Sequence, residues 1–285
     1  MRELERYLRI EKFPHIWCPG CGNGIVLGSM LRAVKRLDLD QDQTVIVGGI
    51  GCSSRAVGYL DFNTLHTTHG RAIAFATGIK MARPDLKVIV ITGDGDATAI
   101  GGNHFIHAAR RNIDITLLLF NNSIYGMTGG QYSPLTPVNK KATTAPYGVI
   151  EPSFDIAELA RVAGASYVGR STTYHSSLLT GLIMEGIENK GFSLVEAVTA
   201  CPTAYGRRNS MKDGLEMLLW QKENAVQIQQ AKKMNPEELA GKIIIGRLHS
   251  QAAPEYTDMY EQLINRSGFQ TGGTMVTPLK GTQRG

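Results

Sequence analysis

The sequence predicts an α/β fold in three layers, a mostly parallel sheet with helices on both faces, and three observations predict it. Short unbroken apolar runs occur at residues 45–49 (VIVGG), 88–92 (VIVIT) and 116–120 (TLLLF). A strand that is apolar throughout is buried on both faces, as in a parallel sheet. Each run ends in glycine or asparagine, or leads into them, which places a turn there. Between the second and third runs, residues 97–111 have the length of a crossover helix, with His104, Ala108 and Arg111 on one side. Strand, glycine loop, helix and strand in that order make a βαβ unit.

The remaining elements follow the same logic. Helices are expected at 24–37, 71–81, 155–163 and 176–189, and a late strand at 192–197 (FSLVEA), just before Cys201. After about residue 205 the character changes. Residues 211–234 read as one long helix of mixed polarity, 255–265 as another, and 267–285 as a Gly/Thr-rich arm. The expected organisation is therefore a main domain, 1–205, and a helical extension with tail, 206–285.

Composition excludes several classes. The chain has 285 residues, 42% hydrophobic and 19% charged, which suits a folded globular protein. Its formal charge is +5, but the densest basic pieces are only Lys140-Lys141, Arg207-Arg208 and Lys232-Lys233. A mildly basic surface suits an acidic protein partner or an anionic substrate, and no nucleic-acid partner is expected. Charges interrupt the first residues, so no signal peptide is expected, and no apolar run spans a membrane. The expected compartment is the cytoplasm, where four cysteines suit metal binding or catalysis better than disulfides. Glycine is abundant, 32 residues, as loops that approach phosphates closely require.

Gly93-Asp94-Gly95-Asp96 follows a strand and opens a helix. A helix N-terminus favours an anion, and open parallel sheets bind ligands at the carboxyl ends of their strands. Asp94 would repel a bare phosphate, so a cation must stand between them, and Mg²⁺ bridges phosphates through oxygen ligands. A second oxygen ligand belongs at the next strand end, where Asn121-Asn122 lies. Neither a dinucleotide fingerprint nor a P-loop is present; the residual reading is an ordinary turn with a capping Asp.

The cysteines are Cys18 and Cys21 in WCPGCGNG, Cys52 in GIGCSSR, and Cys201 in ACPT. Four thiolates can hold zinc or a [4Fe-4S] cluster. One CxxC plus two distant cysteines makes a poor zinc ribbon, and Cys18-x-x-Cys21 alone could be a redox pair. Cluster, zinc and unrelated cysteines remain open on spacing alone. His104 and His107, spaced i, i+3, could face a metal, but no carboxylate is placed to complete that site, so helix packing or a cofactor-loop contact is the favoured role.

These strings together carry a resemblance. GDGDATAIGGNHFIHAARRNIDITLLLFNNSIYGMTGGQ, with the three cysteine segments, resembles the β subunit of 2-oxoacid:ferredoxin oxidoreductases over roughly residues 10–210. The segment CPTAYGRRN is similar to the 2-oxoglutarate (2-oxoglutarate synthase) type. The resemblance implies a thiamine-diphosphate-binding fold. It implies Mg²⁺ held by Asp94, the Asn122 side chain and the Ile124 carbonyl, with Gly95, Asp96, Gly126 and Met127 at the diphosphate. Ile50, Gly51, Cys52 and Ser53 would line the cofactor, with His69 of HTTHGRA beside it. Cys18, Cys21, Cys52 and Cys201 would hold one [4Fe-4S] cluster, Cys52 lying near both groups. Arg55 takes a family position near the substrate, where a guanidinium grips a distal carboxylate; a surface arginine is its plain alternative.

The implied reaction is reversible, coenzyme A-dependent oxidative decarboxylation of 2-oxoglutarate to succinyl-CoA, with electrons passing through the cluster to ferredoxin. Pyruvate or broad 2-oxoacid specificity and a non-oxidative thiamine-dependent decarboxylase are alternatives, and a zinc-stapled binding module is a third. The glutamate that activates the aminopyrimidine lies on a separate domain in this family. A partner α subunit is therefore expected to supply it, together with most coenzyme A contacts, in an (αβ)2 assembly.

Overall fold

The computed structural model describes residues 2–211 and 213–267. Eight strands form one sheet in the order β2-β1-β3-β4-β6-β5-β8-β7. They are β1 (Thr44–Gly48), β2 (Asn63–His66), β3 (Lys87–Gly93), β4 (Thr116–Asn121), β5 (Tyr167–Thr172), β6 (Ser193–Val198), β7 (Ala225–Gln227) and β8 (Ile243–Ser250). The pairs from β2 through β5 are parallel; β8 runs antiparallel to β5. Helices of eight or more residues are α1 (Asn23–Arg36), α2 (Ala72–Ala82), α3 (Gly102–Arg111), α4 (Ile156–Ala163), α5 (Ser176–Glu188), α6 (Gly214–Asn224) and α7 (Tyr256–Ser267). Among the described residues no helix is long and apolar enough to cross a membrane.

The unbroken apolar runs have the expected cause. On one sheet face Ile46, Ile89, Ile91, Leu118 and Phe120 pack with α1 and α5 residues such as Met30 and Ile183. On the other, Val47, Val88, Val90, Leu117 and Leu119 pack with α2, α3 and α4 residues such as Ala76, Phe105 and Ala160. Alternate side chains thus enter two separate cores, and both faces are dry. The helix ends follow local chemistry as well. Asp155 caps α4 by accepting from the Ala157 and Glu158 N–H groups, and Gly164 ends it at φ +112°.

Three expectations are corrected. The long helix over 211–234 is three pieces: α6 ends at Asn224, Ala225–Gln227 turns extended as β7, and a short helix Ile228–Ala231 follows. Pairing of β7 with Ile243–Ile245 of β8 overrides local helix preference there. Crossover helix 97–111 begins as a π turn, Asp96–Ile100, before α3. The region expected as a helical extension contributes two strands to the main sheet. Of the expected arm over 267–285, residues 268–285 lie outside the described residues.

The sheet order sets the site. β1 has β2 on one side and β3 on the other, so successive crossovers leave in opposite directions there, and a crevice opens at the carboxyl ends of β1 and β3.

Candidate active site

Three strand ends converge on one cavity. The loop after β1 contributes Ile50, Gly51, Cys52 and Ser53; the turn after β3 contributes Asp94, Gly95 and Asp96; the turn after β4 contributes Asn122, Ile124, Gly126 and Met127. His69 completes the wall, and the cavity encloses about 680 Å³ of empty space, its open mouth included. Every residue expected at the thiamine, diphosphate or Mg²⁺ therefore lines a single cavity.

Close packing fixes these loops. A Cβ on Gly49 would stand 1.8 Å from Asp96 Oδ2, and one on Gly95 would stand 2.2 Å from the Tyr125 ring. The Tyr125 hydroxyl donates to the Gly95 carbonyl at 3.0 Å. Asp96 Oδ1 accepts from the Gly70 N–H at 2.7 Å and stands 2.6 Å from His69 Nδ1. That last contact is close but lacks hydrogen-bond geometry, so His69 Nδ1 is buried without a hydrogen-bond partner. Burial raises the Asp96 pKa above the ordinary carboxylate range, against the lowering pull of Gly70 and His69.

Asp94 is only 2% exposed. Burial pushes its carboxyl up to about 7, opposed by the Ser133 hydroxyl that donates to it. Asn122 Oδ1 accepts from the Ile124 N–H at 3.2 Å, and Ser123 between them is left-handed at φ +58°. A buried acid, an amide side chain and a main-chain carbonyl on one cavity wall form an all-oxygen donor set. That set fits Mg²⁺, which takes few protein ligands and fills the rest with phosphate oxygens and water. Among the described residues no three His, Cys, Asp or Glu side chains gather as around a single ion.

Two of the thiols flank Gly126, and the other two stand close enough to act on them electrostatically. Cys52 Sγ and Cys201 Sγ both lie 3.6 Å from the position a Gly126 Cβ would take. Burial, first, and then Cys201, Cys52 and Cys18 drive the Cys21 thiol up to about 12. Burial and the neighbouring Cys201 and Cys18 push Cys52 up to about 11. All four are unbridged. Backbone groups of Asn23, and of Ala204 and Tyr205, pull against the rise at Cys21 and Cys201. Nearby, the Asn23 side chain and Thr199 Oγ1 are buried without partners. As bare thiolates the four cysteines would repel one another, and that suits a cluster, whose iron would replace their protons and balance the charge. Gly22 brings the segments together: its Cβ would stand 2.2 Å from Thr199 Oγ1, and its N–H donates to the Ala200 carbonyl at 3.0 Å.

Some expected residues lie elsewhere. Arg55 sits in the 3₁₀ turn Ser53–Gly58, half-buried, and does not line the cavity. His104 contacts Arg71 Nη1 at 2.6 Å, and neither His104 nor His107 reaches the cavity. Residues the sequence reading missed include Tyr125, Phe120 and Thr128 in the wall, and Ser133 behind Asp94. The Ser-Pro-Leu-Thr run at 133–136, with hydroxyls flanking a proline turn, was the available signal for the last.

A parallel sheet whose β1, β3 and β4 ends gather a buried acid, an asparagine turn and glycine loops is that of a thiamine-diphosphate enzyme domain. The family described as thiamine pyrophosphate enzyme, C-terminal TPP binding domain, matches residues 49–197. The chain is 53% identical over 264 residues to the 2-oxoglutarate synthase subunit KorB of Methanothermobacter marburgensis, covering 92% of this chain and 93% of that one. It is 61% identical over 201 residues to KorB of Archaeoglobus fulgidus, covering 70% and 75%. A solved structure, 2-oxoglutarate:ferredoxin oxidoreductase from Magnetococcus marinus with 2-oxoglutarate, coenzyme A and succinyl-CoA bound, superposes with a TM-score of 0.85 at 33% identity, covering 95% of this chain and 92% of that chain. The chain belongs to the KorB family of 2-oxoglutarate synthase subunits, which are oxidoreductases.

Proposed function

We propose that this chain is the β subunit of an enzyme that converts 2-oxoglutarate and coenzyme A reversibly to succinyl-CoA and CO2, passing electrons through one [4Fe-4S] cluster to ferredoxin. The observation that carries this is the shared wall: Gly126 and Cys52 line the cofactor cavity, and Gly126 adjoins the sulfurs of both Cys52 and Cys201. Bound thiamine diphosphate supplies a carbanion and an electron sink for the 2-oxo carbon, and the cluster accepts single electrons. The chain's own part is positional. Asp94, Asn122 and the Ile124 carbonyl would hold Mg²⁺, and Gly95, Asp96, Gly126 and Met127 would line the place of the diphosphate. Ile50, Gly51 and Ser53 form the opposite wall. His69, held against Asp96, is the cavity's imidazole and the group in reach to move a proton.

A partner α subunit supplies the aminopyrimidine glutamate and coenzyme A contacts, in an (αβ)2 assembly. Ile50 and Met127, at 43% and 46% exposure beside the cavity, suit cover by such a partner. Four unbridged thiols suit a reducing compartment, the cytoplasm. Arg55 keeps its proposed role at the distal carboxylate only if the assembled enzyme brings it to the cavity. Anaerobic co-expression with the α subunit, followed by assay with 2-oxoglutarate, pyruvate and branched 2-oxoacids, tests the whole reading. Ferredoxin reduction that depends on 2-oxoglutarate, with iron and sulfide present in equal amounts, is expected. Zinc without iron, or turnover of pyruvate alone, overturns it. Unchanged 2-oxoglutarate preference in Arg55→Ala removes the clamp.

A further inference from the structure

Asp94 and the Asn122–Ile124 turn stand at the ends of different strands, β3 and β4, and something must fix their separation. Mg²⁺ tolerates little departure from octahedral geometry, so that separation matters. Two fully buried hydroxyls outside the cavity lie between them. Ser133 and Thr136 are each 1% exposed. The Ser133 hydroxyl donates to Asp94 Oδ2 and accepts from the Leu135 N–H at 3.2 Å. The Thr136 hydroxyl accepts from the Ser133 N–H at 2.8 Å and donates to the Ser123 carbonyl at 2.7 Å. A hydroxyl has one proton to give, and each of these has its proton committed.

The receiving end is strained. Ser123 is left-handed at φ +58°, a state that costs a non-glycine residue energy and persists where its surroundings hold it. Thr136 holds its carbonyl and Asn121 Oδ1 accepts its N–H at 3.1 Å. The path therefore runs without a gap from the Asp94 carboxylate through Ser133 and Thr136 to the residue between Asn122 and Ile124.

We propose that Ser133 and Thr136 are positioning residues, a clasp that sets the distance between the two halves of the Mg²⁺–diphosphate site. The proposal rests on the assignment of Mg²⁺ to Asp94, Asn122 and Ile124. Neither residue touches the cavity; each acts through a ligand segment. Ser133 orients the acid and Thr136 orients the turn. Partners behind metal ligands change metal affinity about 10–100-fold when removed.

The test is thiamine diphosphate binding to the complex of full chain and α subunit, measured calorimetrically across a Mg²⁺ titration. Ser133→Ala and Thr136→Val are each expected to raise the half-saturating Mg²⁺ concentration at least tenfold. Thr136→Ser, which keeps the hydroxyl, is expected to stay within about twofold, and iron content to stay at the wild-type level in all three. The double variant is expected to shift less than the product of the single effects, because both act through one path. Folded Ser133→Ala and Thr136→Val with wild-type Mg²⁺ dependence overturn the clasp. So does a Thr136→Ser as impaired as Thr136→Val, which would mean packing alone. If Thr136→Val does not fold, Ser133→Ala and Thr136→Ser decide. Asp94→Asn in the same assay separates the two levels. Wild-type behaviour there sinks the metal assignment itself, whereas loss there with intact clasp variants sinks only the clasp.

Discussion

Gly49 shows how little freedom the site leaves at single residues. A methyl group there would overlap Asp96 Oδ2, and Asp96 in turn holds the Gly70 N–H and faces His69. Gly49→Ala is expected to cost about 1–3 kcal/mol by overpacking, read by thermal unfolding, and to weaken thiamine diphosphate binding by displacing Asp96. Normal cofactor affinity in that variant would separate Asp96 from the diphosphate. Cys201 is the second case. It is buried, and burial raises its pKa against the pull of the Ala204 and Tyr205 backbone. Cys201→Ser is expected to purify with little iron while keeping thiamine diphosphate, measured by metal and cofactor analysis; full iron content would remove it from the ligand set.

At the scale of elements, β5 and β6 carry charge into the sheet. Arg170 on β5 bonds Glu196 Oε2 of β6 at 2.6 Å and Asp155 Oδ1 at 2.5 Å. Glu196, 3% exposed, also receives the Asn121 side chain at 2.7 Å. Arg170→Ala leaves a buried carboxylate without its cation, and the expected loss is about 3–5 kcal/mol. Chemical denaturation measures it, and a loss below about 1 kcal/mol would show that water reaches Glu196.

The same pair explains what the sequence hid. YVGRST alternates in neither polarity nor volume, because its arginine is neutralised by a residue on another strand. The apolar run Ile243–Ile245 carries a strand signal of its own, and it pairs with β7. β2, with both ends exposed and only four residues, had no apolar pattern to read. By contrast β1, β3, β4 and β6 were legible because both faces are dry. The cavity wall was legible because glycine and acid at strand ends have few other uses. Ser133 and Thr136 were legible only as hydroxyls flanking a proline turn; that they bond Asp94 and the Ser123 carbonyl leaves no periodic trace.

For the whole molecule, the boundary expected near residue 205 cuts through a sheet. β8 covers the edge of β5, and β7 and β8 complete the eight strands. A chain ending at Tyr205 would keep the pairing of β5 with β6 but leave the opposite edge of β5 unpaired, a template for association between copies. Such a truncation is expected to aggregate in size-exclusion chromatography, where the full chain elutes as a defined species. A monodisperse truncated product would show that residues 1–205 stand alone.

The distance along the chain between β5 and the strand that covers it also matters during synthesis. β5 is finished at Thr172, yet its antiparallel neighbour ends only at Ser250. At ~5–20 residues per second a ribosome needs several seconds to deliver it. Through that interval the nascent protein carries an unsheltered sticky margin, so its yield in a cell should respond to chaperone supply more than the finished fold would suggest.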